Sequence, residues 1–188
     1  MTLDTKILIL DRMPHRDVFV KCNQLLGATE ATKSHDEQLG SWRKDGPPPG
    51  APWRIGNEIA QGLPALLDIY YRPDGPLRAS DGDCHWFCDP DCDEDDDTRA
   101  CWLEVSFDTA YGYRDEQGRG CGDLHASLVA QLGLWLDERG VRWLWRNEFT
   151  GEIHSGYDRL TDLCTDGAQA TAWFRTSVLP AIEREAGR

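Results

Sequence analysis

Apolar and polar residues alternate most regularly in the segment 101–151, which also contains a stretch of helical periodicity. Period-two alternation, typical of a half-buried strand, is carried first by Leu103, Val105 and Phe107 and later by Val141, Trp143 and Trp145. Between these runs, apolar residues recur at helical spacing: Leu124, Leu128, Val129, Leu132, Trp135 and Leu136. Asp123 is predicted to cap the start of this helix and Gly140 to end it. The segment therefore predicts a strand, a loop, an amphipathic helix and a second strand.

Two further strands and one helix are predicted before this segment. The continuous apolar run at 6–10 suits a strand in the middle of a sheet. Pro14 suits the first turn of a following helix, which Gly27 closes. Residues 65–71 predict another strand that ends at a turn, and 53–59 permit either an edge strand or a single helical turn.

The predicted order is strand, helix, strand, strand, helix, strand. This is the βαββαβ order of a ferredoxin-like α+β sandwich, in which both helices cover one face of an antiparallel sheet. A doubly wound parallel sheet would need a helix between 71 and 101, and that interval is too acidic and too rich in turn residues to supply one. We predict one domain over residues 1–188, with an acidic, cysteine-rich insert at 72–100 and an extra C-terminal helix at 165–186.

Negative charge is concentrated in one segment of the chain. The net charge is −13, and residues 81–97 supply nine carboxylates and no basic residue. Binding to duplex nucleic acid is disfavoured, because phosphate contacts need Lys and Arg side chains grouped on one face. The acidic segment instead predicts electrostatic steering of a basic protein partner.

Hydropathy and cysteine content bear on location and cofactors. The chain has no run of about 18 apolar residues, and its N-terminus lacks a basic region followed by an apolar stretch. These features predict a cytoplasmic protein without a membrane partner, whose seven cysteines are thiols or metal ligands. Zinc is the candidate metal, with the ligands Cys84, His85, Cys88 and Cys92. Their spacing lacks paired C-x-x-C knuckles, so a metal-free acidic loop is the alternative and no cofactor is the expectation.

A catalytic cluster is predicted from two carboxylates and one histidine. Glu104 and Asp108 share a strand face, and His125 lies in the first turn of the following helix. At that position the helix dipole would favour a neutral imidazole, which can act as a base. The competing interpretation is that the carboxylates form a solvated strand face and that His125 flanks the core.

Three residues are candidates for binding: Trp102, Arg114 and Arg119. Trp102 has the opposite parity from Leu103, which predicts an exposed aromatic anchor for a protein partner. The two arginines lie in a glycine-rich loop before a helix, where backbone N–H groups can receive an anion.

The stretch LEVSFDTAYGYRDEQGRGCGDLHASL, followed by WLDERGVRWLWRNEFTGEIH, resembles segments of small uncharacterised proteins from actinobacteriophages and GC-rich actinobacteria. The resemblance covers residues 101–155 and brings no activity with it; it implies a cytoplasmic, phage-encoded accessory protein. We predict a non-enzymatic protein-binding accessory protein that acts on a host protein. The alternative is a small hydrolase or nucleotide-handling enzyme that uses Glu104, Asp108 and His125.

Overall fold

The computed structural model describes residues 1–28, 37–38, 53–57, 62–78, 100–148, 152–164, 176 and 180. The strands within them are β1 (Thr2–Ile9), β2 (Glu37–Gln38), β3 (Trp53–Asn57), β4 (Leu66–Tyr71), β5 (Leu77–Arg78), β6 (Ala100–Cys101), β7 (Leu103–Ala110), β8 (Trp143–Asn147) and β9 (Ile153–Ser155). The helices are α1 (His15–Leu25), α2 (Cys121–Asp137) and a 3-10 helix (Leu160–Leu163). The predicted α+β class is confirmed.

Seven strands form one antiparallel sheet in the order β2–β3–β4–β7–β1–β8–β9. β1 is central, between β7 and β8, as its continuous apolar sequence predicts. β3 confirms the strand alternative for 53–59, whereas β2 and β9 have no counterpart among the predicted elements. The remaining two strands, β5 and β6, pair with each other and close the base of the predicted insert.

One face of the sheet, the helix face, carries α1, α2 and the main core. Alternate residues of each strand point toward the helices, because successive side chains of a strand lie on opposite faces. The core residues predicted from the segment 101–151 are buried there: Leu103, Val105, Phe107, Leu128, Leu132, Trp143 and Trp145. Trp135 is half-buried and packs against this core.

The ends of both helices follow the predicted signals, with two shifts in position. Pro14 was predicted at the first helical position but is the N-cap residue that precedes α1. Gly27 and Gly140 have positive φ values of 72° and 64°, which glycine adopts without steric cost. Asp123 is the third residue of α2, and its carboxylate accepts the N–H of Gly120 at 3.0 Å. It therefore caps the helix from inside the first turn.

Gly133 of α2 lies against the ring of Trp143, and alanine at this position is expected to destabilise the protein. An added Cβ would lie 2.2 Å from Cζ2 of Trp143, whose Nε1–H is held by Asp137 at 2.9 Å. Gly133→Ala should lower the free energy of unfolding by about 1–3 kcal/mol in urea denaturation, although alanine gains about 1 kcal/mol in helix propensity. Gly112→Ala is the control, because a Cβ there meets no heavy atom within 4 Å. Equal stabilities of the two variants would contradict this packing.

The other face of the sheet divides into an apolar and a polar region. The apolar region contains Leu8, Leu77 and Cys101, with Leu10, Tyr70 and Leu144 packed around them. It is covered by the β5–β6 ladder, since Leu77 and Cys101 are paired residues of that ladder. We call the neighbouring polar side chains the polar face: Asp4, Lys6, Arg54, Asp68, Glu104, Ser106 and Asp108.

Two predicted segments fall largely outside the described residues. Of the acidic insert, 79–99 lie outside them, and of the C-terminal helix only Thr176 and Pro180 are described. Among the described residues, no helix combines the length and the apolar composition that a membrane crossing needs.

Candidate ligand pocket

A pocket of about 700 Å³ opens at one end of the central strands, and we call it the end pocket. Strand register places it, because Trp53, Tyr71, Leu103 and Ile9 form one row across β3, β4, β7 and β1. The segment between β1 and α1 and the residues beside β4 and β7 complete the wall. The lining residues are Arg12, Met13, Pro14, His15, Trp53, Tyr71, Arg72, Pro73, Trp102 and Leu103. Its volume is within the range of small-molecule sites, about 300–1,000 Å³.

Aromatic rings form much of the wall of the end pocket. His15, the first residue of α1, stacks on Tyr71 with ring centroids 3.9 Å apart and planes 6° from parallel. Trp53 is half-buried, while Tyr71 is only 5% exposed. These contacts hold the rings in place before any ligand enters, which lowers the entropic cost of binding.

The charged groups of the end pocket are cationic. Arg12 and Arg72 line it, and no carboxylate is among its described lining residues. The guanidinium of Arg12 lies over the ring of Trp102, with Cζ 5.3 Å from the centroid, which is within the range of a cation–π contact. Pro14, the N-cap residue of α1, also lines the pocket, so the positive end of the helix dipole lies beside the arginines.

Only one of the three predicted binding residues lies in this pocket. Trp102 is half-buried and lines it. Arg114 and Arg119 follow the far end of β7 and are engaged locally. Arg119 Nε donates to Asp115 at 2.5 Å, and Arg114 donates to the carbonyl of Tyr113 at 2.6 Å.

The glycine-rich loop before α2 is occupied by the chain's own carboxylates. Asp115 accepts the backbone N–H groups of Gln117 at 2.9 Å and Arg119 at 2.8 Å. Asp123 accepts that of Gly120. The loop has the predicted backbone N–H groups. They already donate to the chain's own carboxylates, so they are not available to an external anion.

The three predicted catalytic residues do not share a pocket. Glu104 and Asp108 belong to the polar face. His125, on α2, is fully buried between that helix and the helix face of the sheet. Its Nδ1 is 2.7 Å from the hydroxyl of Thr5 and its Nε2 is 2.9 Å from that of Thr109. Burial lowers the pKa of His125 to about 3, so the ring is neutral at pH 7. Both ring nitrogens are used by threonine hydroxyls, which makes His125 part of the core.

The polar face differs from a solvated strand face. Glu104 is 1% exposed, and Lys6 Nζ lies 3.4 Å from its carboxylate and 3.5 Å from that of Asp4. Burial raises the pKa of Glu104 to about 7, and Lys6 acts in the opposite direction. Oε2 of Glu104 is buried and has no hydrogen-bond partner among the described residues. The interpretation of these carboxylates as a solvated face is therefore wrong for Glu104.

The rest of the polar face is only partly neutralised. Arg54 Nε and Nη2 each donate to the carboxylate of Asp68 at 2.5 Å, and Ser106 donates to Asp4 at 2.9 Å. Burial raises the pKa of Asp68 in spite of the arginine. Oδ1 of Asp108 is buried, and no described residue forms a hydrogen bond with it.

The candidate zinc ligands Cys84, His85, Cys88 and Cys92 lie outside the described residues. Within the part of the chain that the structure describes, no three or more Cys, His, Asp or Glu side chains are grouped so that they could hold a metal ion.

Most of the end pocket was not predicted from the sequence. Its walls come from separate segments of the chain, for example Arg12, Trp53 and Tyr71. Trp102 was predicted as a binding residue, but its parity predicted an exposed ring on the face of Glu104. That placement is wrong, because the ring is half-buried and packs against the main core. Comparison with protein-family models, with curated proteins and with solved structures finds no match to this chain.

Proposed function

We propose that this chain is a non-enzymatic binding protein whose end pocket holds a planar aromatic group of a small organic ligand. The observation that carries the proposal is a concave site of about 700 Å³ whose wall includes Trp53, Tyr71 and Trp102. Aromatic rings pair with one another in stacked or edge-to-face geometry and contribute beyond the area that they bury.

The proposal is tested with 5-fluoroindole, a neutral ring, followed by ¹⁹F NMR. Saturable binding is expected for the unaltered protein. Trp102→Ala should weaken it about three- to tenfold, because an aromatic pair contributes about 0.5–1.5 kcal/mol. Trp135→Ala is the matched control, since Trp135 also lies under an arginine, Arg139, at 4.0 Å, but does not line the pocket. Equal weakening by both substitutions would refute the proposal, and so would the absence of saturable binding by every fluorinated aromatic probe, neutral or charged.

The enzymatic alternative has less support from the geometry. A hydrolase using Glu104, Asp108 and His125 needs these groups within hydrogen-bond reach of one substrate. The sheet separates the carboxylates from His125. A protein partner steered by the acidic segment stays a separate proposal, because residues 81–97 lie outside the described ones. The phage-encoded origin and the host target likewise depend on the resemblance of residues 101–155 alone.

We also propose a ferredoxin-like unit within the sheet. It is supported by the order β8–β1–β7–β4, in which every neighbouring pair is antiparallel. α1 follows the first of these strands in the chain and α2 follows the third, as a βαββαβ unit requires. In this assignment, β3 with β2 extends one edge of the unit and β9 extends the other.

A further inference from the structure

We infer that the ligand of the end pocket is an anion: an aromatic ring that carries a carboxylate or phosphate, with Arg12 as the group that binds its charge. This inference rests on the proposed function and adds the chemical class of the ligand.

The first observation is the sign of the charge in the end pocket. The chain carries −13, yet the charged lining residues that the structure describes are Arg12 and Arg72. A concave site with walls of low dielectric concentrates the field of its own charges. The charge of Arg12 therefore favours an anion in this pocket, whereas the acidic remainder of the protein attracts cations.

The second observation is the state of Arg12 itself. Its side chain is exposed, and no ion pair joins it to a carboxylate of any described residue. Other arginines are paired with acids, for example Arg54 with Asp68 and Arg142 with Asp11. The guanidinium of Arg12 lies over the ring of Trp102, so a cation–π contact holds its fork of N–H groups beside the pocket. Such a fork fits the two oxygens of a carboxylate or phosphate.

The third observation is that Arg12 and the aromatic rings line the same pocket. Trp102, which Arg12 covers, and the stacked pair of His15 and Tyr71 belong to the same pocket. A ligand that fills this space places a planar group among the aromatic rings and its charge beside Arg12. Aromatic carboxylic acids and nucleotides share this chemistry.

The test compares neutral and anionic forms of the same ring by ¹⁹F NMR at fixed ionic strength. One pair is 5-fluoroindole and 5-fluoroindole-3-acetate, and the other is 2-fluoroadenosine and its 5′-monophosphate. In at least one pair the anion should bind about tenfold or more tightly, as a charge-assisted hydrogen bond contributes about 1.5–3 kcal/mol. The pair that shows the preference distinguishes a carboxylate source from a phosphate source.

Two variants of Arg12 and one control variant assign the preference to the pocket. Arg12→Ala should abolish the preference for the anion, and Arg12→Lys, which keeps the charge but not the fork, should retain part of it. Arg139→Ala should leave it unchanged, because Arg139 also covers a tryptophan but does not line the pocket. Circular dichroism confirms that each variant is folded.

The possible failures are distinguishable. If both members of each pair bind equally, or if Arg139→Ala removes the preference as well, the inference is wrong while the proposed function stands. If no member of either pair binds, the proposed function itself fails.

Discussion

Replacement of Trp145 by alanine is expected to lower the free energy of unfolding by about 3–5 kcal/mol. Trp145 is fully buried in β8, pairs with Ile7 of β1 on one side and with His154 of β9 on the other, and has its ring 4.6 Å from that of His154. Its removal leaves a cavity that the two neighbouring strands cannot close without a change of register. Urea denaturation followed by far-UV circular dichroism measures the loss.

Trp135→Ala serves as the control for this substitution. Trp135 is half-buried at the surface of α2, and the guanidinium of Arg139 covers its ring. Less of its surface is removed from water, so the loss of stability should be clearly smaller. If the two substitutions cost the same, Trp145 is not the core residue that its burial indicates.

The second large effect is a dependence of stability on pH that arises from Glu104. Its pKa is raised by burial to about 7 in the folded protein, against 4.5 for the ordinary group. Between these values the folded state binds more protons than the unfolded state, so the stability contributed by this group falls as the pH rises. The decrease is about 3 kcal/mol across this window.

The measurement compares the unaltered protein with Glu104→Gln in urea denaturation from pH 4 to 8. The difference in unfolding free energy should shift by this amount in favour of the glutamine variant and level off above pH 7. Comparison with the variant isolates Glu104, because burial also raises the pKa of Asp4 and Asp68. Lys6→Met should extend the upper end of the window to higher pH, since Lys6 lowers the pKa of Glu104 in the folded protein. A difference that does not vary with pH would show that Glu104 is solvated.

The elements that were predicted correctly from the sequence are those whose structure is determined by interactions between residues close together in the chain. The strand β7, the helix α2 and the strand β8 follow one another, and their periodicities and end signals agree. β9 was missed because it has only three residues and is held by pairing with β8. Such pairing depends on the rest of the sheet more than on intrinsic preference.

The candidate sites show a second limit of sequence patterns. Alternation assigned Glu104 and Asp108 to the same face of β7, but it carries no information on what covers that face. The neighbouring apolar cluster depends on Leu77 and Cys101, which pair across the acidic insert. Alternation likewise could not place His125 relative to the carboxylates, because the turn of the chain between β7 and α2 decides which side of the sheet the helix takes. The end pocket joins segments that are distant in sequence, so no local window contains it.

Because β5 and β6 pair with each other, the acidic insert between them can be replaced by a segment of another length or charge. Leu77 pairs with Cys101 and Arg78 with Ala100, so the two residues that flank the segment 79–99 are adjacent in the fold. The entropic cost of closing a loop grows only with the logarithm of its length, so a short turn in place of 79–99 would change stability by about 1–2 kcal/mol. The register of the seven-stranded sheet is set by other pairings. The nine carboxylates of 81–97 can therefore vary in number, between natural variants or by engineering, while the scaffold that holds the end pocket keeps its geometry.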